Sequence, residues 1–304
     1  MRLPDGILGM ASRGDDWAAW VNELPSLVDG LLEEWQLTTD GWMMHGYVAL
    51  VVPVRTTSSR PAVLKVSFPD EESQHEHLAL QHWHGRGAVQ LLKADPHRRA
   101  MLLERLHPER LTDVWDLEAC EVVAGLYAQL HVRAIPQLRP LTGYVDTWAG
   151  ELAALPRSAP LPRRMVEQAV SLSRDFVSDP ASNGTLIHAD LHYENVMAAD
   201  RQAWLAIDPK PVSGDPHYEP APMLWNRFDE LQGDVREGVR RRFHALVDHA
   251  ELDEDRARDW VVVRMLNNAC WRLRDDEQSR GAQPLTSTDD YLTMCIAIAK
   301  AVQD

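Results

Sequence analysis

Cysteine, lysine and long hydrophobic stretches are all scarce in this sequence of 304 residues. The three cysteines, Cys120, Cys270 and Cys295, are odd in number and far apart, which argues against a disulfide framework and against a Cys-x-x-Cys zinc or redox site. No apolar run approaches the roughly 20 residues that cross a bilayer, and the N-terminus lacks the apolar core of a signal peptide. The sequence therefore predicts a cytoplasmic protein with reduced cysteines and no membrane contact.

Basic residues are outnumbered by acidic ones, because 31 Lys and Arg face 46 Asp and Glu, which gives a formal net charge of -15. This charge argues against a nucleic-acid partner, which would need basic patches. It permits a cationic small molecule as the partner, drawn by an acidic surface, although solubility alone would also explain it. The composition is compatible with a monomer or a dimer.

The order of the predicted elements divides the chain into a β-rich part and a helical part. A helix over 15–34, in which Pro25 predicts a kink or a break, precedes several strands and one further helix. Amphipathic helices dominate the rest of the chain, interrupted by short hairpins near 185–208. This order predicts an α+β fold of two lobes, with a small N-terminal lobe at 1–106 and a larger, mainly helical lobe at 107–304.

The hairpin region carries three polar side chains, Asp190, Asn195 and Asp208, in a spacing suited to phosphoryl transfer. Two short strands are predicted at 195–198 and 203–207 around a polar tip, so Asn195 and Asp208 would face each other at the open end of the hairpin. Carboxylate and amide oxygens there would share a Mg²⁺ ion. Asp190, in the preceding loop, would accept a proton from a substrate hydroxyl.

Two other interpretations of this region stay open. Asp, Asn and Asp near a turn are also typical of a solvated loop, although both carboxylates here directly follow apolar strand-like runs. His188 and His192 are four residues apart, but two histidines at this spacing converge on zinc only when they lie on a helix, and the segment is predicted to be a loop. His188 is better explained as a side chain packed beneath the loop.

Lys65 lies inside an apolar strand, Pro-Ala-Val-Leu-Lys65-Val-Ser, in a chain with only four lysines. A half-buried ammonium is costly unless it meets an anion. Glu76, eleven residues later on the next predicted helix, would pair with it in the arrangement that holds nucleotide phosphates. Glu71 and Glu72 are rival partners, and a surface lysine with an extended stem is the alternative.

Weaker patterns supply the other candidate nucleotide contacts. The chain has no G-x-G-x-x-G motif, but Gly41 and Gly46 flank a turn, and the backbone at Gly46 would face phosphate oxygens unless the turn is an ordinary hairpin. The backbone of Glu104 and Leu106, at the end of a strand, would pair with a purine edge. Lys210 would touch the transferred phosphoryl group, with a salt bridge as the alternative.

Acidic residues after the hairpin are the candidates for contacts with a cationic acceptor. Asp215 follows Gly214 in a predicted turn, where it would begin the acceptor site or bond to the catalytic loop. Glu219 and Asp275 would add further negative charge, Asp275 as the first residue of an acidic run after an apolar helix. A solvated helix end is the alternative for each of them.

These motifs together resemble the aminoglycoside phosphotransferase family, in particular the group of streptomycin 6-kinases and hydroxyurea phosphotransferases. The resemblance covers nearly the whole chain. Its main motifs are His188-Ala-Asp190-Leu-His192-Tyr-Glu-Asn195-Val, Trp204-Leu-Ala-Ile-Asp208-Pro-Lys210 and Gly214-Asp215-Pro216. Further matches are Leu50-Val-Val-Pro-Val54, Gly87-Ala-Val-Gln-Leu-Leu92, Met101-Leu-Leu-Glu104-Arg-Leu106 and Arg241-Arg-Phe243.

The resemblance implies a bilobal fold like that of protein kinases, with Asp190 as the catalytic base and Asn195 and Asp208 as ligands of Mg²⁺. It also implies an O-phosphotransferase that uses ATP, or GTP as the open alternative, and confers antibiotic resistance by phosphorylating a hydroxyl of a streptomycin-like aminoglycoside. The remaining alternatives are a kinase of another small molecule, of the hydroxyurea type or an amino-alcohol metabolite, and a nucleotide-binding pseudokinase.

The sequence also departs from the protein-kinase pattern. Ala189 stands where H-R-D has arginine, Pro209 and Lys210 stand where D-F-G has Phe-Gly, and no A-P-E segment follows. Control by phosphorylation of an activation loop is therefore not expected, which suits a kinase of small molecules.

Overall fold

The computed structural model describes residues 2–231, 233–278 and 287–303, without the side chains of 275–278. The described chain forms two compact units. The N-terminal unit contains Met1–Pro108 together with Ala198–Lys210, and the C-terminal unit contains Glu109–Met197 and Pro211–Asp304. The boundary after Pro108 lies two residues beyond the predicted boundary at 106. The segment 198–210, which the sequence analysis places in the helical lobe, belongs to the N-terminal unit.

The N-terminal unit is built on an antiparallel sheet. Its strands are β1 (Thr38–Thr39), β2 (Met44–His45), β3 (Ala49–Arg55), β4 (Pro61–Ser67), β5 (Leu91–Asp95) and β6 (Ala100–Glu104). They follow the order β1-β3-β4-β6-β5, and β2 also pairs with β3. The helices of the unit are α1 (Asp5–Met10), α2 (Asp15–Glu34) and α3 (Glu76–Trp83).

One face of this sheet is covered by α1 and α2. Alternate apolar side chains of β3, β4 and β6 point to that face because successive residues of a strand point to opposite sides. Together with α1 and α2 they form the main core cluster of the unit, whose strand members are Leu50, Val52, Val54, Ala62, Leu64, Val66, Ala100 and Leu102. Lys65 lies between Leu64 and Val66 in β4, so its side chain points to the opposite face of the sheet.

The long helix α2 is continuous across Pro25, so the predicted break is wrong. Proline removes one helical hydrogen bond and crowds the preceding turn. Leu24, Val28 and Leu31 are nonetheless fully buried in the core on both sides of it. This shared burial holds both halves of the helix against the same sheet and offsets the local cost.

The C-terminal unit is mainly helical, and the predicted α+β fold class is confirmed. Within the described residues its helices are α4 (Asp116–Leu130), α5 (Leu141–Ala154), α6 (Arg163–Ser178), α7 (Ala221–Trp225), α8 (Val235–His249), α9 (Glu254–Gln278) and α10 (Thr288–Ala301). A small antiparallel sheet accompanies them, formed by β7 (Val132–Arg133), β8 (Thr185–Ile187) and β11 (Val212–Gly214) in the order β11-β8-β7.

A hairpin lies where the chain passes from one unit to the other. Its strands are β9 (Val196–Ala198) and β10 (Trp204–Ala206). Compared with the prediction, β9 begins one residue later and β10 is one residue shorter at each end. The three cysteines are buried and unpaired, in agreement with the predicted reduced state. Within the part of the chain that the structure describes, no helix is both long and apolar enough to span a bilayer.

Candidate active site

Lys65 occupies the middle of a row that crosses four strands. The strand register pairs Met44 with Val51, Val51 with Lys65, and Lys65 with Met101. Residues paired across strands point to the same face, so these side chains share the face that α1 and α2 leave uncovered. This face therefore combines a cation with apolar neighbours, a surface suited to a nucleotide, whose aromatic base has apolar faces and whose phosphates are anionic.

The Lys65 ammonium is held by two carboxylates of the same unit. Its Nζ lies 2.6 Å and 2.8 Å from the two carboxylate oxygens of Glu76, and 2.6 Å from Oδ1 of Asp208. Lys65 and Glu76 are buried, and Glu76 begins helix α3. The structure thus selects Glu76 as the partner of Lys65, as the sequence predicted over its rivals Glu71 and Glu72.

Charge pairing keeps this lysine ionised. Burial alone would lower the pKa of Lys65, but the negative charges of Asp208 and Glu76 outweigh burial and raise the pKa above its usual value. Because the folded-state pKa is raised, the stabilisation from this group is complete below its unfolded pKa of about 10.4 and is lost only as the pH rises through the folded pKa. Lys65 is therefore a permanent cation at neutral pH.

Asp208 reaches Lys65 because β10, which ends two residues before it, is hydrogen-bonded to the segment 87–89 of the N-terminal unit. The Ala206 N–H donates to the Gly87 carbonyl at 2.9 Å, and the Val89 N–H donates to the Ala206 carbonyl at 2.8 Å. Asp208 itself has a φ of 56°, in the left-handed region that non-glycine residues rarely adopt. Backbone strain of this kind is typical of functional positions held by their surroundings.

Lys210 lies beside the same carboxylate. Its Nζ is 3.5 Å from Oδ1 of Asp208, and its side chain is largely buried. The salt bridge that the sequence left as an alternative is therefore present. Contact between Lys210 and a transferred phosphoryl group stays a prediction.

The remaining predicted nucleotide contacts are partly occupied by the protein itself. The Gly46 N–H donates to the Ala49 carbonyl at 2.9 Å and closes the turn between β2 and β3. The predicted hydrogen bond from the Gly46 N–H to a phosphate oxygen is therefore wrong in this structure. The Glu104 N–H donates to the Gln90 carbonyl at 3.0 Å, which leaves only its carbonyl for a purine edge. Leu106 is half-buried, and its role stays a prediction.

In the C-terminal unit, the loop that carries Asp190 is tied together by Asn195. The Asn195 amide nitrogen donates to the backbone carbonyl of Asp190 at 2.9 Å and lies 3.1 Å from Nε2 of His192. The Asp190 N–H in turn donates to Nδ1 of the buried His188 at 3.3 Å. This amide orientation leaves the Asn195 oxygen as the atom suited to a metal ion. His188 supports the loop from below, as the sequence indicated.

The backbone just before Asp190 is clamped from both sides. Ala189 has a φ of 65°, in the left-handed region. Glu219, which is fully buried, accepts the His188 N–H at 2.6 Å and the Ala189 N–H at 3.2 Å through its two carboxylate oxygens. Arg264, also buried, donates to the Ala189 carbonyl and, at 3.2 Å, to the Tyr218 carbonyl. These bonds offset the cost of roughly 1–2 kcal/mol for the left-handed backbone.

The Glu219 carboxylate is ionised despite its burial. Burial alone would raise the pKa of Glu219, but nearby His131 and the His188 N–H outweigh it and hold the pKa below its usual range. Because the folded-state pKa is lowered, the stabilisation from Glu219 is present above its unfolded pKa of about 4.3 and is lost as the pH falls through the folded pKa. The clamp is therefore intact at neutral pH.

Replacing Glu219 by glutamine is expected to lower kcat about tenfold and to destabilise the fold by ~1–3 kcal/mol. An amide keeps one acceptor oxygen but turns an NH₂ group toward a backbone N–H, so one buried donor is left without a partner. Steady-state kinetics and urea unfolding measure the two effects. Glu167, exposed on α6, provides the matched substitution. A Glu219→Gln enzyme with the kcat of Glu167→Gln would show that the clamp does not shape the catalytic loop.

The structure corrects the predicted acceptor contacts. The carboxylate of Asp215 is buried and accepts from the His217 Nδ1 at 2.6 Å, the Trp260 Nε1 at 2.7 Å and the Arg256 Nε at 2.6 Å. The predicted contacts of Asp215 and Glu219 with the phosphoryl-accepting substrate are therefore wrong, because hydrogen-bond donors of the protein already surround both carboxylates. Both strengthen the scaffold instead. The side chain of Asp275 lies outside the described residues.

Two buried arginines support the loop, and this role of theirs was missed by sequence reasoning. Arg242 is fully buried and donates to Asp116 at 2.8 Å, and the other oxygen of Asp116 accepts the Tyr193 hydroxyl at 2.6 Å. Arg264 is the second. A lone arginine within the run Val-Val-Val-Arg264-Met-Leu is the same kind of signal that singled out Lys65.

The oxygen atoms of the two proposed metal ligands are of the kind that coordinates Mg²⁺. Asp208 offers a carboxylate and Asn195 an amide oxygen, and Mg²⁺ in phosphoryl-transfer sites takes one or two protein oxygens besides phosphates and water. No group of three or more His, Cys, Asp or Glu side chains within the described ranges is arranged for a metal ion. The chemistry of each of these two oxygen donors suits Mg²⁺, and their role as its ligands stays a prediction.

Comparisons with known proteins identify relatives of this chain. A family model described as aminoglycoside/hydroxyurea antibiotic resistance kinase matches residues 34–276. The chain is 40% identical over 286 residues to a streptomycin 6-kinase of Streptomyces glaucescens, covering 90% of this chain and 92% of the relative. It is 40% identical over 268 residues to a hydroxyurea phosphotransferase of Kitasatospora aureofaciens, covering 85% and 76%.

Similarity to solved structures shows the same fold. A spectinomycin phosphotransferase, solved with ADP and its antibiotic, superposes with a TM-score of 0.61 at 13% identity, covering 90% of this chain and 97% of that one. The predicted protein-kinase-like fold is therefore confirmed. With the family match and the close relatives, it follows that this chain belongs to the aminoglycoside/hydroxyurea antibiotic resistance kinase family.

Proposed function

We propose that this protein transfers the γ-phosphoryl group of ATP to a hydroxyl of a small antibiotic, with a streptomycin-like aminoglycoside as the preferred acceptor. The observation that carries the proposal is the buried Lys65 ammonium between the carboxylates of Glu76 and Asp208. A buried cation with two carboxylates is the arrangement that kinases use to hold and orient nucleotide phosphates. The relative from Streptomyces glaucescens supports the acceptor.

Each residue of the proposed site has its own role in phosphoryl transfer. Asp190 accepts the proton of the attacking hydroxyl, since a carboxylate partly open to solvent can reach a substrate. Lys65 binds the α- and β-phosphates, and Glu76 holds its ammonium in place. Asn195 and Asp208 hold Mg²⁺, which when bound neutralises charge on the phosphates. Positioning and charge neutralisation account for most of the rate, because phosphoryl transfer needs little covalent help from the protein.

A second candidate acceptor is hydroxyurea. The hydroxyurea phosphotransferase of Kitasatospora aureofaciens is as similar in identity to this chain as the streptomycin 6-kinase is. An inactive nucleotide-binding protein is the less favoured alternative, because the Lys65, Glu76 and Asp208 contacts are complete. A different amino-alcohol acceptor has no support beyond a shared fold.

An acceptor panel decides between these functions. We expect ADP release in the presence of Mg-ATP and streptomycin, with a phosphorylated product in the mass spectrum and rescue of growth in an expressing host. Hydroxyurea and choline are tested at the same concentrations, with the Asp190→Asn enzyme as the control for contaminating kinases. Turnover on hydroxyurea alone would move the function to the second candidate. Nucleotide binding without turnover on any acceptor would favour the inactive protein.

A further inference from the structure

Helix α1 touches the turn that precedes β3. The residues 41–47, here called the glycine turn, include the exposed His45, whose imidazole lies directly on Gly6 of α1. A Cβ atom on Gly6 would come within 2.0 Å of Nε2 and 2.5 Å of Cε1 of that ring. In a helix, glycine is less favourable than alanine by roughly 1 kcal/mol, so a glycine at such a contact is explained by the close approach.

A second contact joins the same two segments. Arg13, just after α1, donates from Nη1 to the Tyr47 carbonyl at 2.8 Å. Its guanidinium also lies over two aromatic rings, 4.5 Å from the centroid of Tyr47 and 4.8 Å from that of Trp17. The glycine turn is thus held at two residues, His45 and Tyr47, which flank Gly46.

The segment that makes these contacts is itself fixed. Leu3, Ile7 and Met10 are buried in the core cluster on the covered face of the sheet. The glycine turn contains β2, whose Met44 lies in the same strand row as Lys65. Residues 3–13 therefore connect the rigid core of the N-terminal unit to the backbone that flanks the proposed phosphate site.

We propose that residues 3–13 brace the glycine turn in its nucleotide-binding position, with Gly6 and Arg13 as positioning residues for the phosphoryl donor. The inference rests on the proposed function, because it assumes that the face carrying Lys65 binds the nucleotide. Neither residue contacts the reacting atoms, and both act through His45 and Tyr47. A loosened turn weakens binding of the donor and leaves binding of the acceptor unchanged.

Gly6→Ala tests the brace, and Gly9→Ala is its matched control. Gly9 is an exposed position of the same helix, and a Cβ there would meet nothing within 4 Å. We expect Gly6→Ala to raise the KM for ATP about fivefold, equivalent to ~1 kcal/mol, with the KM for the acceptor within twofold of wild type. Gly9→Ala is expected to match wild type in both constants. Equal KM values for ATP in the two variants would overturn the proposal.

A rescue experiment separates positioning from general damage. In the double variant Gly6→Ala/His45→Ala the ring that collides with the new methyl group is gone, so the KM for ATP should return to that of His45→Ala alone. Arg13→Gln, an exposed change that leaves the helix intact, should raise the KM for ATP by a similar factor. Absence of rescue together with an unchanged Arg13→Gln enzyme would rule out the brace.

Hydrogen exchange distinguishes failure of this inference from failure of the proposed function. Amides of residues 41–48 should exchange faster in Gly6→Ala than in Gly9→Ala even without nucleotide, because the contact does not depend on a ligand. Faster exchange with an unchanged Kd for Mg-ATP would show that the turn is braced but does not serve the donor. If wild-type protein neither binds nor turns over ATP, the proposed function itself fails.

Discussion

Replacing Asp190 by asparagine is expected to lower kcat by ~10³-fold while leaving the affinity for Mg-ATP unchanged. Asparagine has nearly the shape of aspartate, and the backbone carbonyl of residue 190 keeps its bond from Asn195. What is lost is a carboxylate that can accept the proton of the attacking hydroxyl, and general-base catalysis is typically worth ~10²–10⁴ in rate. The loss should therefore fall on turnover and not on nucleotide binding.

Single-turnover kinetics and calorimetry with Mg-ATP measure these two quantities separately. Asp200, an exposed residue at the tip of the hairpin, provides the control substitution Asp200→Asn, which should behave as wild type. An Asp190→Asn enzyme with more than about a tenth of wild-type kcat would remove Asp190 as the base, because that loss is smaller than general-base catalysis provides. Weaker nucleotide binding by the same variant would instead show that Asp190 acts through the loop.

Replacing Lys65 by methionine is expected both to inactivate the enzyme and to destabilise the N-terminal unit. Methionine fills most of the volume but leaves the buried Glu76 carboxylate beside Asp208 without its cation. Removing one partner from a buried ion pair typically costs ~3–5 kcal/mol, because the remaining charge stays desolvated. Loss of the phosphate contact should also raise the KM for ATP by at least ~10²-fold.

A double variant separates the two consequences. In Lys65→Met/Glu76→Gln the unpaired charge is gone, so much of the lost unfolding free energy should return while activity stays absent. Lys300→Met, at an exposed lysine of α10, controls for the substitution itself. Urea unfolding and ATP titrations provide the data. Recovery of nucleotide affinity in the double variant would show that Lys65 serves only to neutralise Glu76.

Much of the proposed site could be read from local patterns. Asp190, Asn195 and Asp208 stand out because their spacing around a short hairpin is set within about twenty residues of chain. Lys65 stands out because a cation within an apolar strand demands a buried anion. The pairing with Glu76 was also predictable, since a strand followed by a helix brings residues of known separation together.

The partners of Asp215 and Glu219 could not be read in this way. Their sequence neighbourhood is acidic and polar, which fits a surface that attracts a cation. In the fold, Arg256 and Trp260 from α9 surround Asp215, and backbone amides 30 and 31 residues away use both oxygens of Glu219. Such contacts join segments distant in the chain, and no local periodicity records them.

By itself the sequence determined the order of strands and helices, the hairpin, and the identity of the residues proposed for chemistry, because hydrophobic period and turn composition are local properties. Only the tertiary structure decided which unit holds Asp208, how Glu219 and Arg264 fix the strained backbone before Asp190, and that α1 reaches the glycine turn. The physical reason is that burial and hydrogen bonding between distant segments select among partners that are equivalent in sequence.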